Sequence, residues 1–463
     1  MSLETPEISL QQMFEEAIAS EDQLAIKEFL NDQNISDVAD LIYEFDDYET
    51  QIISHLSIHR AASVFKILDL SEQKRIIKNL PAFKSAELLN ELPPDDRVDF
   101  FEELPTSTVR ELIKTLEPAE RKITLELLGY PENSVGRLMT PDYVYVYEYN
   151  TVKEVLETIR RWGTNSETID VIYVINVKGE LIDDIRIRDF ILAAPEAKVS
   201  DLIDERFISL KVNDDQEMAG QVFKMNNRVA LPVTDDKNIL LGIVTIDDML
   251  WVAQEEYTED IQKIGGTEAL DEPYLDISIP KLIKKRASWL VILFLGEMLT
   301  ATAMQYFQGE IEKATVLALF IPLIMSSGGN SGSQASTLII QAMALREVTL
   351  ADWWRVMRRE LISGFILGVI LGSIGYFRIV LWQNLHIFDY GIYWKPLAAT
   401  IFFSLIGIVL WGSLMGSMLP LILKRLKQDP AASSAPFVAT LVDVTGIVIY
   451  FSVAYFFLKG ILL

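Results

Sequence analysis

The chain has 463 residues, half of them hydrophobic, and its 66 acidic against 41 basic side chains leave a net charge of −25. No cysteine is present, so disulfides and thiolate metal sites are excluded and a reducing compartment is the natural setting. So large an acidic surplus repels nucleic acid and attracts cations. The charge is also unevenly spread. From Lys281 onward there are 15 basic and 9 acidic residues, net +6, so the first 280 carry 26 basic and 57 acidic, net −31. An acidic water-soluble part therefore precedes a mildly basic apolar one.

Met1–Leu10 lacks a basic stretch followed by an apolar run, so no secretory leader is expected there. Residues 1–130 read as short helices in a repeat. Asn79-Leu-Pro, Glu91-Leu-Pro-Pro, Glu103-Leu-Pro and Thr115-Leu-Glu-Pro recur every 12 residues, each followed by an apolar pair such as Leu88-Leu89, Phe100-Phe101 or Leu112-Ile113. Proline stops one helix and suits the first turn of the next. Helices too short to bury their own faces stack into a solenoid. On its polar side Asp95 and Asp99 lie one turn apart, with Asp96 between them.

Residues 131–250 change period. Strands are predicted at 143–148, 168–176 and 181–187 with a helix at 152–162. The same order then recurs, with strands at 207–212, 228–234 and 239–245 and a helix at 216–226. Val171-Ile-Tyr-Val-Ile aligns with Val229-Ala-Leu-Pro-Val at an offset of 58. The doubled pattern, ending in Leu241-Gly-Ile-Val-Thr-Ile-Asp-Asp248, resembles a tandem of cystathionine-β-synthase-type (CBS) modules. That resemblance implies a regulatory α+β pair without chemistry of its own, and a nucleotide such as ATP held through its ribose by Thr245 and Asp248. The first copy reads Ile185-Arg-Ile-Arg-Asp189 and lacks the hydroxyl, so two such sites are not expected. Residues 251–286 form a connecting helix rich in acids, broken at Gly265-Gly266 and resumed from 279 into the next segment.

Residues 287–463 hold five apolar segments, 287–308, 314–344, 361–382, 397–423 and 436–458. Each has at least the ~20 residues a helix needs to cross a bilayer. Lys281, Lys284, Lys285 and Arg286 precede the first; Arg346, Arg355, Arg358 and Arg359 follow the second; Lys424, Arg425 and Lys427 follow the fourth. The intervening loops are poorer in positive charge, which predicts a cytoplasmic N-terminus and an outside C-terminus in an inner (plasma) membrane.

Two carboxylates remain within these segments, Glu297 and Asp443. An acid in hydrocarbon is costly, and it faces a protein interior or a water-filled path. Asp443 follows Pro436 and Thr440 along one helical face, ~10 Å into the membrane. No basic residue stands at similar depth, which disfavours the alternative of a lysine-paired structural acid; for Glu297 a buried hydrogen bond is as good a reading. In the second segment Ile321-Pro-Leu-Ile-Met-Ser-Ser-Gly-Gly-Asn-Ser-Gly-Ser-Gln334 predicts an interrupted helix. Small and polar residues there, including Gly328, Gly329, Asn330 and Ser331, permit close packing and can turn backbone groups toward a cavity. Oxygen-only side chains near Asp443, namely Thr440, Asn330 and Ser331, suit a hard cation.

Ser326-Ser-Gly-Gly-Asn-Ser-Gly-Ser-Gln334, with Asp429-Pro-Ala-Ala-Ser-Ser-Ala-Pro-Phe-Val-Ala-Thr-Leu-Val-Asp-Val-Thr-Gly446, resembles the MgtE family of magnesium channels. The order of parts agrees along almost the whole chain: helical solenoid, CBS pair, connecting helix, five transmembrane helices. The resemblance implies a multi-domain, mainly α-helical membrane protein that works as a homodimer. Its pore is lined by the second and fifth spans, with hydrated Mg2+ at Asp443 and Asp429 near the cytoplasmic mouth. It further implies that cytosolic Mg2+ bridges the acidic parts and shuts the pore. Candidate ligands are Asp95 and Asp99 on the solenoid, Glu217 and Asp248 on the second CBS module, and Glu256, Glu259 and Asp260 on the connecting helix. Asn227 and Trp251 stand where that family pattern has aspartate, so part of the sensor is expected to be weaker. Another divalent cation (Co2+, Ni2+, Mn2+) and a nucleotide-sensing membrane receptor are the alternatives. An enzyme is not expected: there are three histidines, no nucleophile motif and no phosphate loop.

Overall fold

The computed structural model describes residues 9–20, 22–275 and 277–461. Most of Met1–Leu10, over which no leader is expected, lies outside them. The chain divides after Glu256 into two compact units.

The first unit begins with ten helices: α1 Leu10–Ala19, α2 Gln23–Asp32, α3 Ile35–Glu44, α4 Glu49–His55, α5 Ile58–Lys66, α6 Leu70–Asn79, α7 Ala82–Glu91, α8 Pro94–Glu102, α9 Thr106–Thr115 and α10 Pro118–Leu127. The predicted Leu-Pro turns fall between α6 and α7, α7 and α8, and α8 and α9, so proline starts each successive helix. One side of the stack shares a core through Phe14, Leu30, Ile42, Phe65, Leu89 and Phe101. Helices of seven to ten residues are marginal alone, and this shared burial supplies their stability.

After the short α11 (Val135–Leu138), two three-stranded sheets follow. The first has the order β1 (Tyr143–Tyr147), β2 (Thr168–Ile175), β3 (Leu181–Arg186), with α12 (Val152–Trp162) between β1 and β2 and α13 (Ile187–Leu192) after β3. The second has β4 (Leu210–Lys211), β5 (Ala230–Thr234) and β6 (Leu240–Thr245), with α14 (Gln216–Asn226) between β4 and β5. In each, the first pair is parallel and the second antiparallel, so the repeat read from the sequence is a structural duplication. Backbone bonds from Leu181 N–H to Asn238 O (2.9 Å) and from Leu240 N–H to Gly179 O (3.0 Å) join the modules. Val171, Tyr173, Ile175, Leu181, Leu240 and Ile243 form a core common to both. The strand predicted over 207–212 shrinks to two residues. Phe207 packs into that common core, which draws 207–209 off the sheet.

The helix α15 (Ile246–Ile264) runs unbroken to Gly265, as the acid-rich stretch predicts, and the division between units falls within it. Among the described residues of the second unit five stretches are long and apolar enough to cross a membrane: Ile279–Tyr306, Thr315–Ala344, Leu350–Asn384, Trp394–Arg425 and Ala435–Leu458. They comprise α16 (Ile279–Tyr306); after the short α17 (Gln308–Lys313), α18 (Thr315–Ala318) and α19 (Ile321–Ala344); α20 (Trp353–Asn384); α21 (Trp394–Arg425); and α22 (Ala435–Leu458). The interruption predicted within 321–334 is corrected: the break sits at Leu319–Phe320, just before Pro322, and the Ser-Gly stretch is regular helix. Its small residues are spent on packing rather than on freeing backbone. A Cβ on Gly416 of α21 would overlap the Gly332 carbonyl of α19, and one on Gly332 would lie 2.8 Å from Val438 Cγ1 of α22. By contrast α16 buries only Thr300 within its own chain.

Candidate metal centres

Asp443 of the apolar unit is a carboxylate deep in a span without a polar partner among the described residues. Asp443 lies two turns into α22, and among the described residues it takes no hydrogen bond or ion pair. Beside it stands Gly329 of α19, whose missing Cβ would be 3.3 Å from Ala439 Cβ and 3.8 Å from Asp443 Oδ1. The absent side chain lets α19 lean against the face of α22 that carries the acid. Thr440, one turn earlier, donates its hydroxyl to the Pro436 carbonyl (3.0 Å), and its methyl packs where Gly296 of α16 leaves room. Asn330 is exposed and its amide reaches Ser326 Oγ at 3.3 Å. Gly328 is turned the other way, against Ile408 of α21 and Val442. Ser331 is likewise buried, 2.7 Å from Ser413 Oγ, so it serves helix packing. Glu297 lies exposed on α16.

Asp429 starts the turn that leads into α22. Its Oδ1 accepts the Ala431 N–H (2.8 Å) and its Oδ2 accepts Lys263 Nζ from the last turn of α15 (2.7 Å). The loop beyond is held by Ser336 Oγ to the Ser433 carbonyl (2.9 Å), Ser333 Oγ to the Ala435 carbonyl (3.0 Å) and Trp289 Nε1 to Ser434 Oγ (3.1 Å).

The first unit gathers acids around α8. Arg97 fixes this helix: fully buried, it donates to the carbonyls of Leu89 and Leu92 (both 2.7 Å), to Thr124 Oγ1 (3.0 Å) and to Glu120 (2.8 Å). Val98 joins Leu127, Phe223 and Val252 in a core shared with the second CBS module. That contact carries Asp95 and Asp99 toward the start of α15. Asp95 is buried and its Oδ1 has no hydrogen-bond partner. Burial, then the charges of Asp248, Asp96 and Glu167, hold its carboxyl well above the usual range. Burial, then Glu255, Asp96 and Glu103, push Asp99 up to about 7. Asp248 also rises to about 7 through burial, although the Thr245 hydroxyl, 2.6 Å away, works against the rise. Lys66 Nζ, 3.3 Å from Asp96, works against the rise at Asp96 and Glu167.

Of the sensor candidates, the structure brings Asp95, Asp99 and Asp248 together. Glu217 faces solvent and takes a bond from Gln221 (3.4 Å), and Glu256 accepts from Gln216 (3.1 Å). Glu259 pairs with Lys263 one turn on, and Asp260 adjoins it on α15. Lys66, Glu103, Glu167, Asp247 and Glu255 were missed by sequence reasoning. Glu255, two turns after Asp248 on one helix, could have been found by its spacing, whereas Glu167 precedes a distant strand and left no local signal. Thr245 and Asp248, read as ribose ligands, are bonded to each other, and Thr245 is buried. Asn227 caps α14 in the left-handed conformation (φ 50°), and Trp251 is exposed. Among the described residues no three His, Asp or Glu side chains stand close enough to cage a bare metal ion. The buried Asp95 oxygen lacks a hydrogen-bond partner and has like charges as neighbours, a combination that a divalent cation would relieve.

Five apolar helices with an unpaired acid in the last, joined to a tandem of α+β modules, define a multi-pass membrane cation transporter with an attached acidic part outside the spans. Comparison with known proteins agrees. The family described as MgtE, divalent cation transporter, matches residues 321–453; the MgtE intracellular N domain matches 33–133; and the CBS domain matches 135–196 and 199–255. The chain is 39% identical over 349 residues to the magnesium transporter MgtE of Thermus thermophilus, and 29% identical over 349 residues to that of Bacillus subtilis, covering 75% of each chain in both cases. A crystal structure of the cytosolic domain of the Mg2+ channel MgtE in complex with ATP matches 52% of this chain and 99% of its own, at 32% identity and a TM-score of 0.50. The chain belongs to the MgtE family of divalent cation transporters.

Proposed function

We propose that this protein conducts Mg2+ across the inner membrane along a path past Asp443, as a homodimer shut by cytosolic Mg2+. In this reading residues 1–130 and 131–250 sense the ion, 251–286 transmit, and 287–463 conduct. The observation that carries it is the Asp443 carboxylate, within a span and without a protein cation, beside the side-chain-free Gly329. Mg2+ sheds water reluctantly and prefers octahedral oxygen ligands. A two-fold pore would present Asp443 twice, and two carboxylates can hold the hydrated ion through its waters. Asp429, Thr440 and Asn330 would line the approach. The similarity to proteins named as magnesium transporters favours Mg2+ over Co2+, Ni2+ or Mn2+, which competition in proteoliposomes would separate. The distribution of basic loops supports a cytoplasmic N-terminus and an outside C-terminus.

The acids around Asp95, Asp99 and Asp248 would close on Mg2+ and loosen without it, with Glu217, Glu256, Glu259 and Asp260 as outlying contributors. ATP is a further ligand by analogy with the relative's complex; binding through Thr245 and Asp248 would require that pair to part. The test is Asp443→Ala in a host that needs external magnesium: uptake is expected to vanish while the protein still reaches the membrane. Normal uptake by that variant would refute the path.

A further inference from the structure

We propose that Lys263 is a positioning residue of the gate, whose tethered ammonium occupies the Asp429 carboxylate and couples the connecting helix to the start of α22. The proposal rests on the transport reading above and adds the residue through which regulation reaches the conducting helices. Several contacts converge here. Lys263 Nζ meets Asp429 Oδ2 at 2.7 Å, while Glu259, one turn earlier on α15, steadies the same ammonium. The other oxygen of Asp429 caps the turn Pro430–Ala432 that leads into α22. Just past the helix, Gly266 adopts φ +76°, where a Cβ would fall 2.9 Å from the Trp289 ring and 3.2 Å from Pro436. Trp289 in turn donates to Ser434. The end of α15 is thus fitted against the residues that begin α22, and the ion pair is the part of that fit made by charge.

An ammonium on Asp429 does two things. It neutralises the acid that would greet an approaching divalent ion, and it repels that ion from the same spot. With the pair made, the mouth is unfavourable to cations; a shift of α15 that withdraws Lys263 exposes a carboxylate there. Lys263 therefore acts through Asp429, and its removal should uncouple inhibition from conduction instead of abolishing conduction.

The experiment uses the full chain in excised inside-out membrane patches, with Mg2+ titrated on the cytosolic face. Wild type is expected to lose its Mg2+ current as cytosolic Mg2+ rises. Lys263→Met should keep the current and need roughly fivefold or more Mg2+ for half inhibition, and Lys263→Arg should return that midpoint to within about twofold of wild type. Should Lys263→Met fail to reach the membrane, Lys263→Gln, which keeps a polar donor without the charge, carries the same expected shift. A neutral variant inhibited at the wild-type concentration would overturn the coupling alone. Loss of current in both the neutral variant and Lys263→Arg, with protein in the membrane, would also overturn it, since Lys263 would then belong to conduction. A wild-type chain without Mg2+ current would overturn the transport reading and the coupling together.

Discussion

Asp99 and Asp248 are carboxyls that would ordinarily be fully ionised at neutral pH, yet burial and neighbouring acids carry both up to about 7. A group whose folded value is raised binds more protons folded than unfolded between its two values. Its stabilising share is complete below the ordinary carboxylate range and is lost as pH climbs through about 7. Without divalent ions, raising pH from about 6 to about 8 should therefore loosen α8 against the start of α15. Amide hydrogen exchange in α8 of the full-length protein checks this: faster exchange at the higher pH, with the difference removed by millimolar Mg2+. A flat profile in metal-free buffer would show that these acids do not repel one another. Sequence spacing revealed the Asp95–Asp99 pair because one turn of helix sets it. It could not reveal Lys66 or Glu167, whose nearness to Asp96 depends on how a helix 30 residues away and a loop after α12 pack.

At the level of elements, the apolar unit is organised by what glycine leaves out. Gly332 of α19 and Gly416 of α21 bring two backbones together so closely that any Cβ on Gly416 would overlap the Gly332 carbonyl. Such small-residue contacts are how helices associate where no water drives them together. Gly416→Val should thus cost about 1–3 kcal/mol of overpacking, read as a lower melting temperature in detergent and a loss of assembled protein. Gly220, inside α14, has nothing within 4 Å of its missing Cβ. There Gly220→Ala should instead stabilise by roughly 0.5–1 kcal/mol, because it restrains the unfolded chain. Equal effects at the two positions would contradict this account of the packing. The same residues explain one failure of the sequence reading. Ser-Gly-rich composition signals either a broken helix or a closely packed one, and composition alone cannot choose; the facing glycines on α21, more than 80 positions on, decide it. Helices and strands in the CBS modules were legible nearly to the residue, since alternation and capping are local; β4 was not, because Phe207 answers to a core built by the other module.

Across the whole chain, charge is divided between the two parts, with net −31 over the first 280 residues and +6 over the remainder. A charge that one-sided strains a compact fold, and the strain is released in different ways at the surface and inside. Exposed acids are screened by any salt, over about 10 Å at 0.1 M. Asp95 is not exposed, and its unpartnered oxygen sits where potassium chloride in bulk water gives little relief. Mg2+ should therefore stabilise the acidic unit beyond what KCl does at matched ionic strength. The increment should grow as binding demands, by about 2.7 kcal/mol at a concentration a hundred times the Kd. Asp95→Asn separates the two effects. Removing one buried acid among others should raise the metal-free melting temperature of that unit by about 2–4 °C, for a relief of roughly 1 kcal/mol, and should shrink the Mg2+ increment at the same time. Scanning calorimetry of the full chain in both salts reads the two changes together. If KCl reproduced the whole effect of Mg2+, or if Asp95→Asn left the increment intact, the acids around α8 would be a solvated surface and the sensing role would have to lie elsewhere.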